Sequence, residues 1–236
     1  MEADGLLPVL GKMIKKIFLF AIAVVLLSEC KTSTIDPKDI PDGKEYYPLH
    51  IGNYAIYAIS VHTKVAGGFD TLNYQLKELV SDTFKSGGET FYRLERFTRL
   101  QVTSPWPENP DSVWTVRISQ NRLIKTENNV PYIKLIFPVK EAGKWDGNAL
   151  NTLSEDEYTY TAIAKPYTVN TKTYPNTVSV SKQEEISLIK RNTGIEVYAK
   201  DIGLVLKKQE ALSLDFSTGD TTSGYIYTQT LQEKYP

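Results

Sequence analysis

The sequence has a single cysteine, Cys30, so no disulfide can form within the chain. It has only two methionines and two histidines, and neither sign of charge is in excess. The 27 Lys and Arg residues balance 28 Asp and Glu residues, for a net charge of −1. Such a balance gives no long-range field that would recruit a polyanion. We therefore expect no nucleic-acid partner, and a fold that depends on packing rather than on covalent cross-links.

Motifs that carry enzyme chemistry are also lacking. The sequence contains no P-loop, no G-x-G-x-x-G and no G-x-S-x-G. His50 and His62 have no nearby cysteine and no H-E-x-x-H spacing, so we expect no metal and no cofactor. The acidic runs 155–157 and 184–185 would point to alternate faces of a strand, unlike the paired carboxylates of a glycosidase. We predict that the protein is not an enzyme; the weaker alternative, a hydrolase, requires titratable side chains that converge in a cleft.

Long apolar runs are absent except for one of 11 residues at 17–27. This run is shorter than the roughly 20 residues that a membrane-spanning helix needs. Two lysines precede it and small or polar residues follow it, which is the order of a secretory signal peptide. Glu2 and Asp4 fit poorly in a basic leader, which indicates that translation starts at Met13.

The apolar run ends at Leu27-Ser28-Glu29-Cys30, which resembles the lipobox of bacterial lipoproteins, with Glu29 where that family has Gly, Ala or Ser. The resemblance implies a signal peptide over residues 1–29 and acylation of Cys30. Lys31 stands where an aspartate would retain such a protein at the inner membrane. The implied location is the cell envelope, as an outer membrane lipoprotein on the periplasmic side. Acyl chains contribute about 0.8 kcal/mol per buried methylene, so the membrane is an expected partner through this lipid anchor.

Beyond the leader, the pattern has a period of two. Residues 30–48 are polar, contain three prolines and are typical of a lipidated tether. Residues 49–236 are then expected to form a single β domain, as in the stretch where Leu72, Tyr74 and Leu76 alternate with polar residues. We count ten or eleven strands, no amphipathic helix and no internal repeat. The prediction is an all-β fold: an antiparallel meander that forms a curved sheet, a partly open barrel or a sandwich, preceded by the signal helix.

Turn residues divide the predicted domain. Asn128-Asn129 is typical of a hairpin turn between two strands. Residues 143–151 are predicted to form a loop. Residues 165–177 contain Pro166 and Pro175 and are interpreted as an excursion from the sheet or an edge.

Two tryptophans, Trp106 and Trp145, fall in predicted loops, and two interpretations stay open for them. An exposed indole ring could stack on a sugar or a peptide, or each ring could fill one end of the core. A run of arginines that includes Arg96 and Arg117 lies on adjacent predicted strands. Because glutamate is interleaved with it, we expect cross-strand ion pairs rather than a nucleic-acid surface.

Two further stretches resemble uncharacterised bacterial cell-envelope lipoproteins. They are YYPLHIGNYAIYAI at 46–59 and EVYAKDIGLVLKK at 196–208, near the two ends of the predicted domain. The resemblance implies an all-β secreted domain akin to the half-open barrels of periplasmic lipoprotein carriers, and it implies no activity. We interpret Glu196 as a hydrogen-bond acceptor for a neighbouring strand or loop, and Tyr198 as a half-buried structural residue.

Together these patterns predict a membrane-anchored lipoprotein with a non-enzymatic binding or assembly domain, for which a hydrophobic or glycan ligand is the candidate partner. The alternative is a carrier or chaperone that holds an acyl chain or a lipoprotein in a hydrophobic barrel cavity. An elongated aliphatic cavity would favour the carrier, and a filled core would argue against it. The sequence leaves the oligomeric state open.

Overall fold

The computed structural model describes residues 42–182 and 184–235. The predicted signal peptide at 1–29, its helix, Cys30 and most of the predicted tether lie outside these residues. Among the residues that are described, no helix has the length and apolar character needed to cross a bilayer.

Strands account for most of the described chain, and the prediction of an all-β fold is confirmed. One short 3₁₀ helix at Lys44–Tyr46 precedes them. The described residues form thirteen strands rather than ten or eleven, because two of the strands are only two or three residues long and show no periodicity. The strands are β1 (Tyr54–Val65), β2 (Gly68–Ser86), β3 (Glu89–Arg99), β4 (Ser112–Ser119), β5 (Arg122–Glu127), β6 (Val130–Ile136), β7 (Lys144–Asp146), β8 (Glu157–Val169), β9 (Lys172–Lys182), β10 (Glu185–Ile186), β11 (Lys190–Ala199), β12 (Gly203–Leu214) and β13 (Thr221–Tyr235).

The strands form one antiparallel sheet in the order β6-β5-β4-β3-β2-β1-β13-β12-β11-β9-β8-β7, and β10 pairs with β11 only. Most neighbours are consecutive in the chain, as the predicted meander requires. There are two exceptions: β1 pairs with β13 as well as with β2 and so joins the first and last strands, and β11 pairs with β9. The sheet curls until its end strands approach each other. Of the three predicted architectures, the nearly closed barrel is the one observed.

The barrel closes at a seam between β6 and the β7–β8 region, where single contacts replace a strand ladder. The Tyr160 hydroxyl donates to the Ile136 carbonyl at 2.7 Å and accepts from the Ile136 amide at 3.0 Å. The Trp145 indole N–H donates to the Ile133 carbonyl at 2.9 Å. The Ile133 amide donates to the Gly147 carbonyl, also at 2.9 Å. These backbone groups of β6 are therefore satisfied at the seam, although no strand of the described chain pairs with β6 on that side.

Two-residue turns set the register of the hairpins around β5. Asn128 and Asn129 have φ angles of 50° and 66°, and Gln120 and Asn121 have φ angles of 46° and 60°. Positive φ at both central residues is the geometry whose twist matches that of the flanking strands. Asparagine tolerates this region better than most residues. The predicted hairpin turn at Asn128-Asn129 is confirmed.

Residues 165–177 form the far end of the hairpin of β8 and β9. Neither β7 nor β11 pairs with residues 165–176, so this part of the hairpin is an edge, as predicted. Lys165 pairs with Thr177, and Tyr167 pairs with Tyr174, so the register skips the residues between them. Both prolines of the segment fall at these skipped positions, where no ladder hydrogen bond is required. This bulge explains how prolines are accommodated inside a strand pair.

The predicted loop at 143–151 also contains regular structure, since β7 pairs with β8 there. At the other end of the domain, part of the predicted tether is packed. Tyr46 is buried, and its hydroxyl donates to Asn176 at 2.5 Å. The Asp201 amide donates to the Glu45 carbonyl at 2.7 Å. The packed segment therefore extends to the N-terminal side of the predicted boundary at residue 49.

Candidate functional site

Buried ion pairs occupy the interior of the barrel. Glu78 on β2 lies opposite Arg96 on β3 and accepts a hydrogen bond from its Nε at 3.0 Å. The Lys125 ammonium on β5 lies 3.1 and 3.2 Å from the two Glu78 oxygens. Glu78 and Lys125 are both buried. Because a buried charge is costly without a partner, this triad ties three strands into one arrangement.

A second group of charges lies around Glu196 on β11. Its carboxylate is 3.3 Å from the Lys134 ammonium and 3.5 Å from the Lys207 ammonium, and it accepts a hydrogen bond from the Tyr198 hydroxyl. Lys134 also pairs with Glu127 at 3.1 Å. Lys207 is the register partner of Glu196 on β12, whereas Lys134 comes from β6, which does not pair with β11. The group therefore links strands that are distant in the sheet.

Burial and neighbouring charges shift the pKa values of the carboxylates in these two groups in opposite directions. Burial alone would raise the pKa of Glu196, but Lys134 and Lys207 outweigh it and hold the pKa at about 2. The pKa of Glu78 is likewise lowered, since Lys125 and Arg96 outweigh its burial. These carboxylates therefore stay ionised at neutral pH.

The pKa of Lys207 is lowered, because the nearby carboxylates do not fully offset the burial of its ammonium group. Burial lowers its pKa and the nearby Lys134 lowers it further, while Glu127 and Glu196 act in the opposite direction. The two groups form a network of four cations and three carboxylates among the described residues, in which the triad has one surplus positive charge and the group around Glu196 is balanced. The members of the network are Arg96, Lys125, Lys134, Lys207, Glu78, Glu127 and Glu196.

A cavity of about 150 Å³ adjoins this second group, and we refer to it as the lysine cavity. Its charged and amide-bearing walls include Lys134, Lys182, Lys207, Glu127, Glu196 and Gln209. The side chains of Lys182 and Lys207 are 28 % and 23 % exposed, so solvent reaches both. Lys182 pairs with Asp156 at 2.6 Å, a pair that leaves the positive surplus of the network unchanged.

The predicted stacking tryptophans lie in different surroundings. Trp106 is half-buried, and the Arg99 guanidinium lies 4.2 Å from its ring centroid. Trp145 is 9 % exposed and packs on Tyr158 and Tyr160 at the seam. Trp145 therefore fills the core, which was the second of its two interpretations, and its ring offers no surface to a ligand. Stacking on Trp106 stays a prediction.

The third tryptophan, Trp114, lies within the charge network instead. The Arg96 guanidinium is 3.5 Å from its ring centroid, and the Lys125 ammonium is 4.9 Å away. A cation over an aromatic face is stabilised by the quadrupole of the ring, more strongly where water is excluded. The cross-strand pair of Arg96 with Glu78 agrees with the expectation of ion pairs among the arginines.

The histidines make local contacts. His62 lies 2.8 Å from the Thr71 hydroxyl through Nδ1 and 3.2 Å from the Ser60 hydroxyl through Nε2. Over residues 42–182 and 184–235, no group of three or more His, Cys, Asp or Glu side chains has an arrangement that could hold a metal ion.

Sequence reasoning missed most of the interior charges, although a signal was present. Glu78 occupies an apolar position of the period-two pattern, between Leu76 and Val80 on the inward face of β2. Lys134 likewise interrupts an apolar run between Ile133 and Leu135. A charged residue on the core face of a strand indicates a buried partner. The interpretation of Glu196 as a hydrogen-bond acceptor agrees with the contacts described above.

Comparison with known proteins assigns no function to this chain. No protein-family model matches the sequence, and no curated protein matches it. One similar solved structure is a Bacteroides fragilis protein described as exported and as having a YmcC-like fold, with a TM-score of 0.42, 14 % identity, and coverage of 80 % of this chain and 98 % of that chain. Another is a Parabacteroides distasonis protein described as a lipoprotein, with a TM-score of 0.37, 11 % identity and the same coverage. Functional conclusions therefore rest on the site itself.

The pKa of Glu196 predicts a pH dependence of stability. Between its unfolded pKa of about 4.3 and its folded pKa of about 2, the unfolded chain binds more protons at this residue than the folded chain does. The free energy of unfolding therefore rises with pH in this window, and the contribution of Glu196 is lost as the pH falls through 2.

The Glu196→Gln variant is expected to show a shallower pH dependence of stability, by up to about 1.4 kcal/mol per pH unit. The measurement is urea unfolding of the full chain in a non-ionic detergent, followed by circular dichroism between pH 2 and 5. Glu185→Gln, at an exposed carboxylate, should keep the slope of the parent. Equal slopes for the parent and Glu196→Gln would contradict the assignment.

Proposed function

We propose that this chain is a lipid-anchored protein of the bacterial cell envelope whose barrel binds a ligand and does not catalyse a reaction. The order of charges and apolar residues in the leader, together with Cys30 at its exit, supports the anchor. The anchor places the barrel on the periplasmic side of the outer membrane. The residues that follow Cys30 provide a polar connection to the domain.

The observation that carries the binding function is the lysine cavity, with partly exposed ammonium groups at the edge of a rigid charge network. Groups held in place by packing and by neighbouring hydrogen bonds are preorganised for a ligand. A general acid needs a pKa raised toward neutrality. Glu127 and Glu196 instead have lowered pKa values, despite burial, because of Lys134 and Lys207. Because these two pKa values are lowered rather than raised, they favour structural ion pairing and binding over acid–base chemistry.

The interior argues against the alternative of an acyl-chain carrier. Charged side chains line the lysine cavity, and they also line a second void of about 40 Å³ between Glu78 and Glu196. An acyl chain placed there would remove water from charges and supply no hydrogen bond in return. Neither cavity is the elongated, aliphatic one that would favour a carrier.

The anchor is tested by expressing the full chain, with its own leader, in Gram-negative cells fed an alkyne-bearing fatty acid. The parent should be labelled and should sediment with the outer membrane, since several acyl chains hold a protein there durably. The Cys30→Ser variant should lose the label and leave the membrane fraction. Ser33→Ala, a nearby change in the polar segment, should behave as the parent does. Equal labelling of the parent and Cys30→Ser would refute the anchor.

A further inference from the structure

An apolar surface adjoins the lysine cavity. Gln209, a cavity residue on β12, is the register partner of Tyr227 on β13. Tyr227 lies opposite Val61 on β1, and Val61 lies opposite Leu72 on β2. Residues opposite each other in register project to the same face of a sheet. Tyr227, Val61 and Leu72 therefore form one line across three strands, which we refer to as the apolar row, and it begins beside the cavity.

The apolar row lies where the long strands extend past the closed part of the barrel. Ile59, two residues before Val61 on the same face, is buried in the core, whereas Leu72 is 52 % exposed. Val65, further along that face, is 45 % exposed, and Tyr225 on β13 is 37 % exposed. The inner face of the sheet thus continues beyond the core with accessible apolar side chains, and the polar pair of Thr63 with Asp70 separates Val65 from the apolar row. Accessible apolar surface of this kind marks interaction sites.

We propose that this end of the barrel binds an amphiphilic anion, with its carboxylate or phosphate group at Lys207 and Lys182 and its apolar part along the apolar row. The proposal rests on the binding function proposed above and names the class of ligand. The walls of the lysine cavity favour an anion, because they carry four lysines and two glutamates, namely Lys134, Lys182, Lys207, Lys208, Glu127 and Glu196. Even when Asp156, the partner of Lys182, is counted, the lysines exceed the carboxylates by one. Ammonium groups donate strong, charge-assisted hydrogen bonds to carboxylate and phosphate oxygens.

The dimensions determine which part of the ligand lies where. A cavity of about 150 Å³ accommodates a polar head group, and its charged walls disfavour an alkyl chain. The chain is therefore directed out of the cavity, over Tyr227 and toward Leu72. The Lys207 ammonium lies 6.0 Å from the Tyr227 ring centroid, so head and chain sites are adjacent. This division separates the proposal from an acyl carrier, in which the chain would occupy the barrel interior.

The test is equilibrium dialysis of the full chain, in a non-ionic detergent, against radiolabelled hexanoate and hexyl phosphate below their aggregation concentrations. Acetate, inorganic phosphate and hexanol are the matched probes that lack the chain or the charge. Both hexyl anions are expected to bind at least tenfold more tightly than acetate or phosphate, and hexanol is expected not to bind. A preference between the two hexyl anions identifies which head group the cavity takes.

The variants separate the two parts of the site. Lys207→Met should weaken hexanoate binding tenfold or more, and Lys207→Arg should retain most of it. Lys85→Met, which removes an exposed lysine from the far end of β2, should bind as the parent does. Leu72→Ser should weaken hexanoate binding several-fold and leave acetate binding unchanged. Leu72 is exposed, so this variant is expected to fold, which a thermal unfolding curve will check.

Two results would overturn the proposal. Hexanoate binding that is unchanged in a folded Lys207→Met variant would remove the cavity from the site. Hexanol binding as tight as that of hexanoate would show an apolar surface without anion recognition. Neither result bears on acyl labelling of Cys30, so failure here is distinguishable from failure of the anchor. Specific binding of another ligand class at the cavity would preserve the binding function while refuting the amphiphilic anion.

Discussion

The Glu78→Ala variant is expected to have a free energy of unfolding about 3–5 kcal/mol lower than that of the parent chain. Glu78 is the carboxylate partner of both Lys125 and Arg96 in the ion pairs described above, and Lys125 is buried. Removal of the carboxylate leaves two positive charges close together with little access to water. Urea unfolding of the full chain in a non-ionic detergent, followed by circular dichroism, gives the loss.

Two further variants make this expectation specific to the buried pair. Glu185→Ala removes a carboxylate whose pair with Lys190 is about half exposed on both sides, and it should change stability by less than about 1 kcal/mol. The double variant Glu78→Leu with Lys125→Met should recover part of the loss, since apolar residues can replace a buried ion pair at little cost. A loss below about 1 kcal/mol for Glu78→Ala would contradict the network as described.

The Gly224→Ala variant is expected to lose about 3 kcal/mol of stability or more. Gly224 has a φ angle of 112°, and a Cβ added there would lie 2.0 Å from the Ala211 carbonyl oxygen on β12. The backbone strain of such a position costs about 1–3 kcal/mol. The clash adds a comparable amount, because the neighbouring strand must move to relieve it. The same urea unfolding experiment measures the loss.

Gly219→Ala is the matched control for backbone strain alone. Its φ angle is 74°, and a Cβ there would meet no atom within 4 Å. We expect a cost of about 1–2 kcal/mol, which is the penalty for a side chain in the left-handed region. If the two variants lose equal stability, the close approach of β13 to β12 at Gly224 does not contribute to the loss in Gly224→Ala.

The fold could be predicted because its signals are local. Alternation along β2 and the Asn128-Asn129 turn depend on residues that are near each other in sequence, and both predictions are confirmed. Pro166 and Pro175 predicted an excursion or an edge, and their segment is an edge of the hairpin of β8 and β9. The bulges that accommodate them could not be predicted, because a bulge depends on the register between two strands. The short strand β7 was missed because three residues cannot show a period.

The candidate site could not be predicted in the same way, since its contacts depend on how the sheet curls. Lys125 is 47 residues from Glu78, and Lys134 is 62 residues from Glu196. Alternation shows that Glu78 faces inward, but it does not show which strand lies across the barrel from it. Lys134 lies at a skipped position of the register between β5 and β6, so alternation does not predict its burial. Trp145 was ambiguous for a related reason. A tryptophan in an apparent loop is exposed or buried according to whether the sheet closes over it.

The seam also bears on self-association. An edge strand normally presents free amide and carbonyl groups to which a strand of another molecule can add. At the β6 edge, the Ile133 and Ile136 groups are already bonded to Trp145, Gly147 and Tyr160 of the same chain. An incoming strand would have to displace an internal partner for each hydrogen bond that it gained at these two residues. The gap in the barrel wall is thus protected against the addition of strands from neighbouring molecules.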